Sequence, residues 1–83
     1  MVENEYKALV DSYGGKAVGL SLKPSSLIAV QYIKVTYANI INDLDQSRKD
    51  TEDVEKKRLL SIAITEAQTA QMWAVKAATW GDK

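Results

Sequence analysis

Between residues 23 and 37 the chain carries Lys23, Ser25, Ser26, Tyr32, Lys34 and Tyr37. These residue types suit one ligand chemistry. Lysine makes a charge-assisted contact with phosphate. A serine at the start of a helix stands beside backbone N–H groups that point toward an anion. Tyrosine offers a ring on which a nucleobase stacks. The set fits a small ligand bearing phosphates and bases. Many surface helices carry such residues, so this pattern alone does not single out the ligand.

Other chemistries lack their parts. The chain has no histidine and no cysteine. That removes the usual general acid–base, the thiol nucleophile and the common zinc ligands. No GxxxxGK[ST] phosphate loop occurs. The stretch GGKAVGLS has glycines and a lysine but no strand before it, and is expected to be a flexible connection, with an anion-contacting loop as the alternative. The carboxylates of 43–55 are mixed with basic residues and read as a solvated turn, not as a cation site. No enzyme, metal or cofactor is expected. Eleven basic and eleven acidic residues cancel, which disfavours a DNA or RNA polymer as partner, because phosphate neutralisation dominates that affinity. No apolar run approaches the ~20 residues of a membrane span, and the N-terminus has no secretory pattern. A cytosolic protein is the expectation.

The elements that must position these residues read as helices throughout. ENEYKALVDSY has helical spacing at Tyr6, Leu9, Val10 and Tyr13, with Gly14 placed to end it. A second helix is expected near 25–47, capped by Ser25 or Ser26. Its seam is Val30, Ile33, Tyr37, Ile40 and Leu44, with Ile28 and Val35 on another face. A third is expected near 51–79, capped by Asp50 or Thr51, with Gly81 at its end. It carries two stripes: Leu59, Ala63, Ala70, Trp73, Ala77 and Trp80, and beside it Leu60, Ile64, Ala67, Ala74 and Ala78. Alanines allow close helix approach, and the tryptophans are expected to close the ends of that contact. The predicted fold is all-α. Residues 1–83 form one domain, with an N-terminal helix and loop over 1–20 and a long antiparallel helical hairpin over 21–80. A chain of 83 residues without disulfides has a marginal core, so it is expected to assemble as a homo-oligomer.

Residues 61–80, SIAITEAQTAQMWAVKAATW, resemble the second hairpin helix of the phage anti-CBASS cyclic-nucleotide sponges, a family that shares its hairpin domain with the phage anti-Thoeris sponges. Thr65, Ala70, Met72, Trp73, Ala74 and Ala77 carry the likeness. Ile33–Lys34, followed by Ala38 and Ile41, resembles the first helix of the hairpin, and Lys23–Pro24 the loop that leads into it. The resemblance spans roughly residues 21–80. It implies a protein that is not an enzyme. Such a protein assembles, typically as a hexamer, and holds cyclic oligonucleotides between subunits, in the cytoplasm of the infected bacterial host. A bacterial immune effector is thereby deprived of its activator. Together with the residue chemistry above, the candidate ligand-binding residues are Lys34, Ser21, Leu22, Lys23, Pro24, Ser25, Ser26, Tyr32 and Tyr37. Thr65, Lys76 and Trp80 are a second candidate site. Met72, Trp73, Ala74 and Ala77 are expected at packing or subunit contacts.

The chain departs from the family pattern at three places. Ser21–Leu22 stand where an aromatic–histidine pair is frequent. Val75 stands where asparagine is frequent. Trp80 stands where an arginine serves cyclic trinucleotides. Cyclic dinucleotides are therefore favoured, and a cyclic ADP-ribose isomer, the ligand of related anti-Thoeris sponges, stays open. The competing expectation is a small helical protein–protein interaction module with no small-molecule ligand.

Overall fold

The computed structural model describes residues 2–23 and 27–81. Four helices follow one another: α1 (Val2–Asp11), α2 (Tyr13–Ala17), α3 (Ile28–Lys49) and α4 (Val54–Ala78). No strand occurs among the described residues. The helices α3 and α4 make the expected hairpin, α2 docks onto α3, and α1 packs more on α2 than on α3. The whole measures 46 × 32 × 12 Å.

The N-terminal region differs from its sequence reading. The first helix does not run to Gly14 but stops at Asp11, and Ser12 starts a second one. Ser12 is extended, and its hydroxyl accepts from the Gly15 N–H at 3.0 Å while donating to the Leu9 carbonyl at 2.6 Å. Gly14 and Gly15 are buried within α2, where they let the backbone come close. A Cβ on Gly14 would lie 2.1 Å from the Ala38 carbonyl oxygen of α3. GGKAVGLS is therefore no flexible connection. It holds Val18 and Leu20, 5% and 7% exposed, in the core. The Leu20 N–H donates to the Gly15 carbonyl at 2.8 Å, which folds the segment back on α2.

The core gathers Val18, Leu20, Ala38, Ile41 and Ile64, with Tyr6, Leu9, Val35, Tyr37 and Leu44 packed around them. On α3 the buried positions are Val30, Ala38, Ile41 and Asp45. That arc is rotated from the expected seam, and Ile40 is exposed. The cause is the third partner. With α2 packed against Ala38 on one flank and α4 on the other, the centre of burial moves toward Ala38 and Ile41.

The ends of the hairpin helices also shift. Ser25 and Ser26, the expected caps, lie outside the described residues, as does Pro24. α3 starts at Ile28 with Leu27 at its N-cap position. Neither Asp50 nor Thr51 caps α4. Asp53 does, its carboxylate accepting from the N–H groups of Glu55 and Lys56 at 3.0 and 3.1 Å. Gly81, at φ 83°, follows the helix end as expected.

Of the two α4 stripes, the one running through Leu60, Ile64, Ala67, Ala74 and Ala78 faces α3 and is buried or half-buried. The other is open to solvent except at the half-buried Ala63. Trp73 is 66% exposed and Trp80 78%, so neither closes the hairpin within one chain. Leu59, Ile62 and Met72 are exposed with them.

Candidate functional site

Lys34 sits on α3 one turn after Val30 and one turn before Ala38, both of them buried. Residues four apart share a helix face, so Lys34 belongs to the core-facing side and is half-buried. It is not off the apolar face, as the seam expected from the sequence would place it. It forms no ion pair among the described residues, whereas Lys7, Arg48, Lys49 and Arg58 all have acidic partners. A cation at the edge of a core has lost part of its hydration. An anionic ligand would offset that loss.

Ser21 is linked to the first turn of α3 through Tyr6. Gln31, one turn before Lys34, donates from Nε2 to the Tyr6 hydroxyl at 3.1 Å. The Tyr6 hydroxyl in turn donates to the Ser21 carbonyl. The Ser21 hydroxyl accepts from the Lys23 N–H at 3.0 Å. Ser21, Leu22 and Lys23 themselves are exposed. The structure thus brings Ser21 near the first turn of α3.

The two tyrosines part company. Tyr37 is half-buried and packs against the core on the same side as Lys34. Tyr32 is 69% exposed and projects from the opposite side of the helix, about 160° around the axis from Lys34. One chain therefore does not place Tyr32 and Lys34 in a single pocket.

The second candidate set is also divided. Lys76 Nζ lies 6.0 Å from the centre of the Trp80 ring. A shallow depression of about 370 Å³ is lined by Trp73, Lys76, Ala77 and Trp80, and another of about 380 Å³ by Thr69, Met72, Trp73 and Lys76. Thr65 lies about 16 Å along the helix from Lys76 by helical rise. It is exposed, and its hydroxyl is turned back to the Ser61 carbonyl at 3.2 Å. Lys76 and Trp80 form one patch, and Thr65 does not join it.

Sequence reasoning missed Tyr6, Ser12 and Asn42. Asn42 accepts from the Gly14 N–H at 2.7 Å and donates to the Ser12 hydroxyl at 2.9 Å, which latches α2 to α3. Near it runs a groove of about 500 Å³ between α1 and α3, lined in part by Tyr6, Leu9, Val35 and Asn39. The Ser12 cap has a local signal, a serine three residues before Gly15. The pairing with Asn42, thirty residues away, has none.

The titrating groups that depart from ordinary values are structural. The Arg48 guanidinium donates to Asp45 at 2.8 Å and, with Lys49 adding to it, holds that carboxyl below its usual range despite burial. Arg48 also reaches the Ser61 hydroxyl of α4 at 3.0 Å and covers the Tyr13 ring at 5.7 Å. Asp45 thus steadies Arg48 within α3, while Arg48 makes the tie to α4. Among the described residues there is no acidic cluster that could hold a metal ion, and no helix long and apolar enough to cross a membrane. The arrangement can hold an anion.

No curated protein and no solved structure matches the chain. The family model described as "Acb2/Tad1, hairpin domain" matches residues 21–79, which takes in the segment before α3 and both hairpin helices. The chain therefore belongs to the Acb2/Tad1 hairpin-domain family, the phage anti-CBASS and anti-Thoeris sponges, which bind cyclic-nucleotide signals and do not transform them.

Proposed function

We propose that this protein takes up cyclic dinucleotides in the cytoplasm of the infected bacterial host and withholds them from an immune effector. The observation that carries this reading is Lys34, a half-buried lysine with no acidic partner among the described residues. Two phosphates need more than one cation. Two copies of the site at a subunit contact supply a lysine from each chain, and the protein remains neutral overall. Such a contact also gives Tyr32 of one chain a way to reach the ligand that Lys34 of another holds. The exposed Leu59, Ile62, Trp73 and Trp80 support assembly, since nothing within one chain covers them. We assign the assembly as a hexamer, with Met72, Trp73, Ala74 and Ala77 at its contacts. The Lys76–Trp80 patch is the alternative ligand site.

The same exposed stripe favours a second reading, a helical module that docks on another protein and takes no small ligand. Titration calorimetry with cyclic dinucleotides of A/A, A/G and G/G composition separates the two. Lys34→Met keeps the apolar stem and removes the charge. A charge-assisted phosphate contact contributes about 1.5–3 kcal/mol, so the variant should bind about ten- to a hundredfold more weakly at wild-type oligomeric mass. Bound nucleotide should be recovered intact after heating the complex. Unchanged affinity in Lys34→Met would move the site to Lys76 and Trp80. No binding of any probe, with a stable monomer in sedimentation, would favour the docking module.

A further inference from the structure

The family match begins at residue 21, so α1 and α2 lie outside it. One polar contact of α1 with the matched part is made by Tyr6. Its ring packs against the core, a task that phenylalanine would serve as well. Its hydroxyl does something separate. It joins two pieces of chain far apart in sequence, accepting from the Gln31 side chain of α3 and donating to the Ser21 carbonyl. The carbonyl it takes belongs to the backbone just before the exposed Leu22 and Lys23.

The same segment is fixed on its other side. Gly19 turns the chain at φ 71° and donates to the Lys16 carbonyl at 3.2 Å, and the next residue, Leu20, is buried. Beyond Leu20 the described hydrogen bonds of this segment are those of Ser21 and Lys23, and Tyr6 makes the one to the preceding helix. α2 is in turn latched to α3 through Asn42. The N-terminal helices thus form a brace whose end touches Ser21.

We propose that Tyr6 is a positioning residue for the ligand site: its hydroxyl holds the Ser21–Lys23 backbone against the first turns of α3, so that Lys23 is presented beside Lys34 before ligand arrives. This rests on the cyclic-dinucleotide reading above. Ordering a segment on binding costs conformational entropy that an ordered segment has already lost. Removing the hydroxyl therefore weakens binding without removing any atom that touches the ligand.

The test uses the full chain and compares Tyr6→Phe with Tyr13→Phe. Tyr13, whose ring lies under Arg48, loses a hydroxyl from the same N-terminal region. Three measurements are made: oligomeric mass, amide hydrogen exchange of Leu22 and Lys23 without ligand, and calorimetry with the A/A, A/G and G/G cyclic dinucleotides. Tyr6→Phe should keep its mass, exchange faster at Leu22 and Lys23, and bind roughly three- to tenfold more weakly, the scale of one hydrogen bond. Tyr13→Phe should bind as wild type does. Unchanged affinity in Tyr6→Phe overturns the inference alone. So does an equal loss in Tyr13→Phe, or a Tyr6→Phe chain that no longer folds, because the hydroxyl would then be supporting the fold in general. A wild-type protein that binds none of the probes overturns the cyclic-dinucleotide reading itself, and the role of Tyr6 with it.

Discussion

Replacing Gly14 by alanine tests the docking of α2 on α3, on which the N-terminal brace depends. Two effects oppose one another. Alanine is the better helix former, by up to about 1 kcal/mol over glycine in a helix interior. Against that, the new Cβ would stand 2.1 Å from the Ala38 carbonyl oxygen and 2.8 Å from the Asn42 Oδ1. The nearer obstacle is backbone of a central helix and cannot swing aside, so α2 must retreat by more than an ångström. Overpacking of this kind costs about 1–3 kcal/mol. The retreat also stretches the bond from the Gly14 N–H to Asn42, worth about 1 kcal/mol. Steric cost exceeds propensity, and the net loss should be about 2–3 kcal/mol. For a domain of this size that lowers Tm by about 10–20 °C. Thermal unfolding followed by circular dichroism reads it, with Gly19→Ala beside it. Gly19 has open space at its Cβ but a φ of 71°, so that variant should lose only about 1–2 kcal/mol, from backbone strain. A Gly14→Ala protein that melts at or above the wild-type temperature would refute the reasoning, since helix propensity would then have won and α2 could not be packed as described.

Asp45 gives a pH prediction. Its carboxyl is held below the usual range in the folded chain, chiefly by its bond from Arg48, so its contribution is fully present above the unfolded value near 3.9 and is lost as pH falls through the folded value. Asp45→Asn should be less stable than wild type by about 1–2 kcal/mol at pH 7, with the two melting curves converging toward pH 2; a constant gap down to that pH would contradict it. Trp73→Ala should act on assembly and leave the single chain nearly as stable, because Trp73 is largely exposed there. If Trp73 lies centrally in a subunit contact, truncation costs about 2 kcal/mol or more per contact, and sedimentation should show smaller species at micromolar concentration; unchanged mass would remove Trp73 from the interface.

The sequence by itself determined the helices and the hairpin. Spacing of three and four residues is a local property, and it placed α3 and α4 to within three residues at each end. It also gave the two stripes of α4 and the want of catalytic residue types, and the Met-Trp-Ala helix pointed to the family that the match over 21–79 shows. Tertiary structure alone decided which arcs are buried. Ala38 and Asp45 do not look like core in a hydrophobicity pattern, yet one admits the backbone of α2 and the other ties to Arg48. Gly14 read as a helix end and Gly15 as part of a flexible connection, but here close approach to α3 and α1 places both within α2. The candidate site was legible only in part. Lys34 and the loop could be named from their types, while the side of α3 that Lys34 occupies depends on α2 packing against Ala38, and the tie from Tyr6 to Ser21 spans fifteen residues. Such contacts join segments whose separation no periodicity encodes, and they form only once the helices have docked.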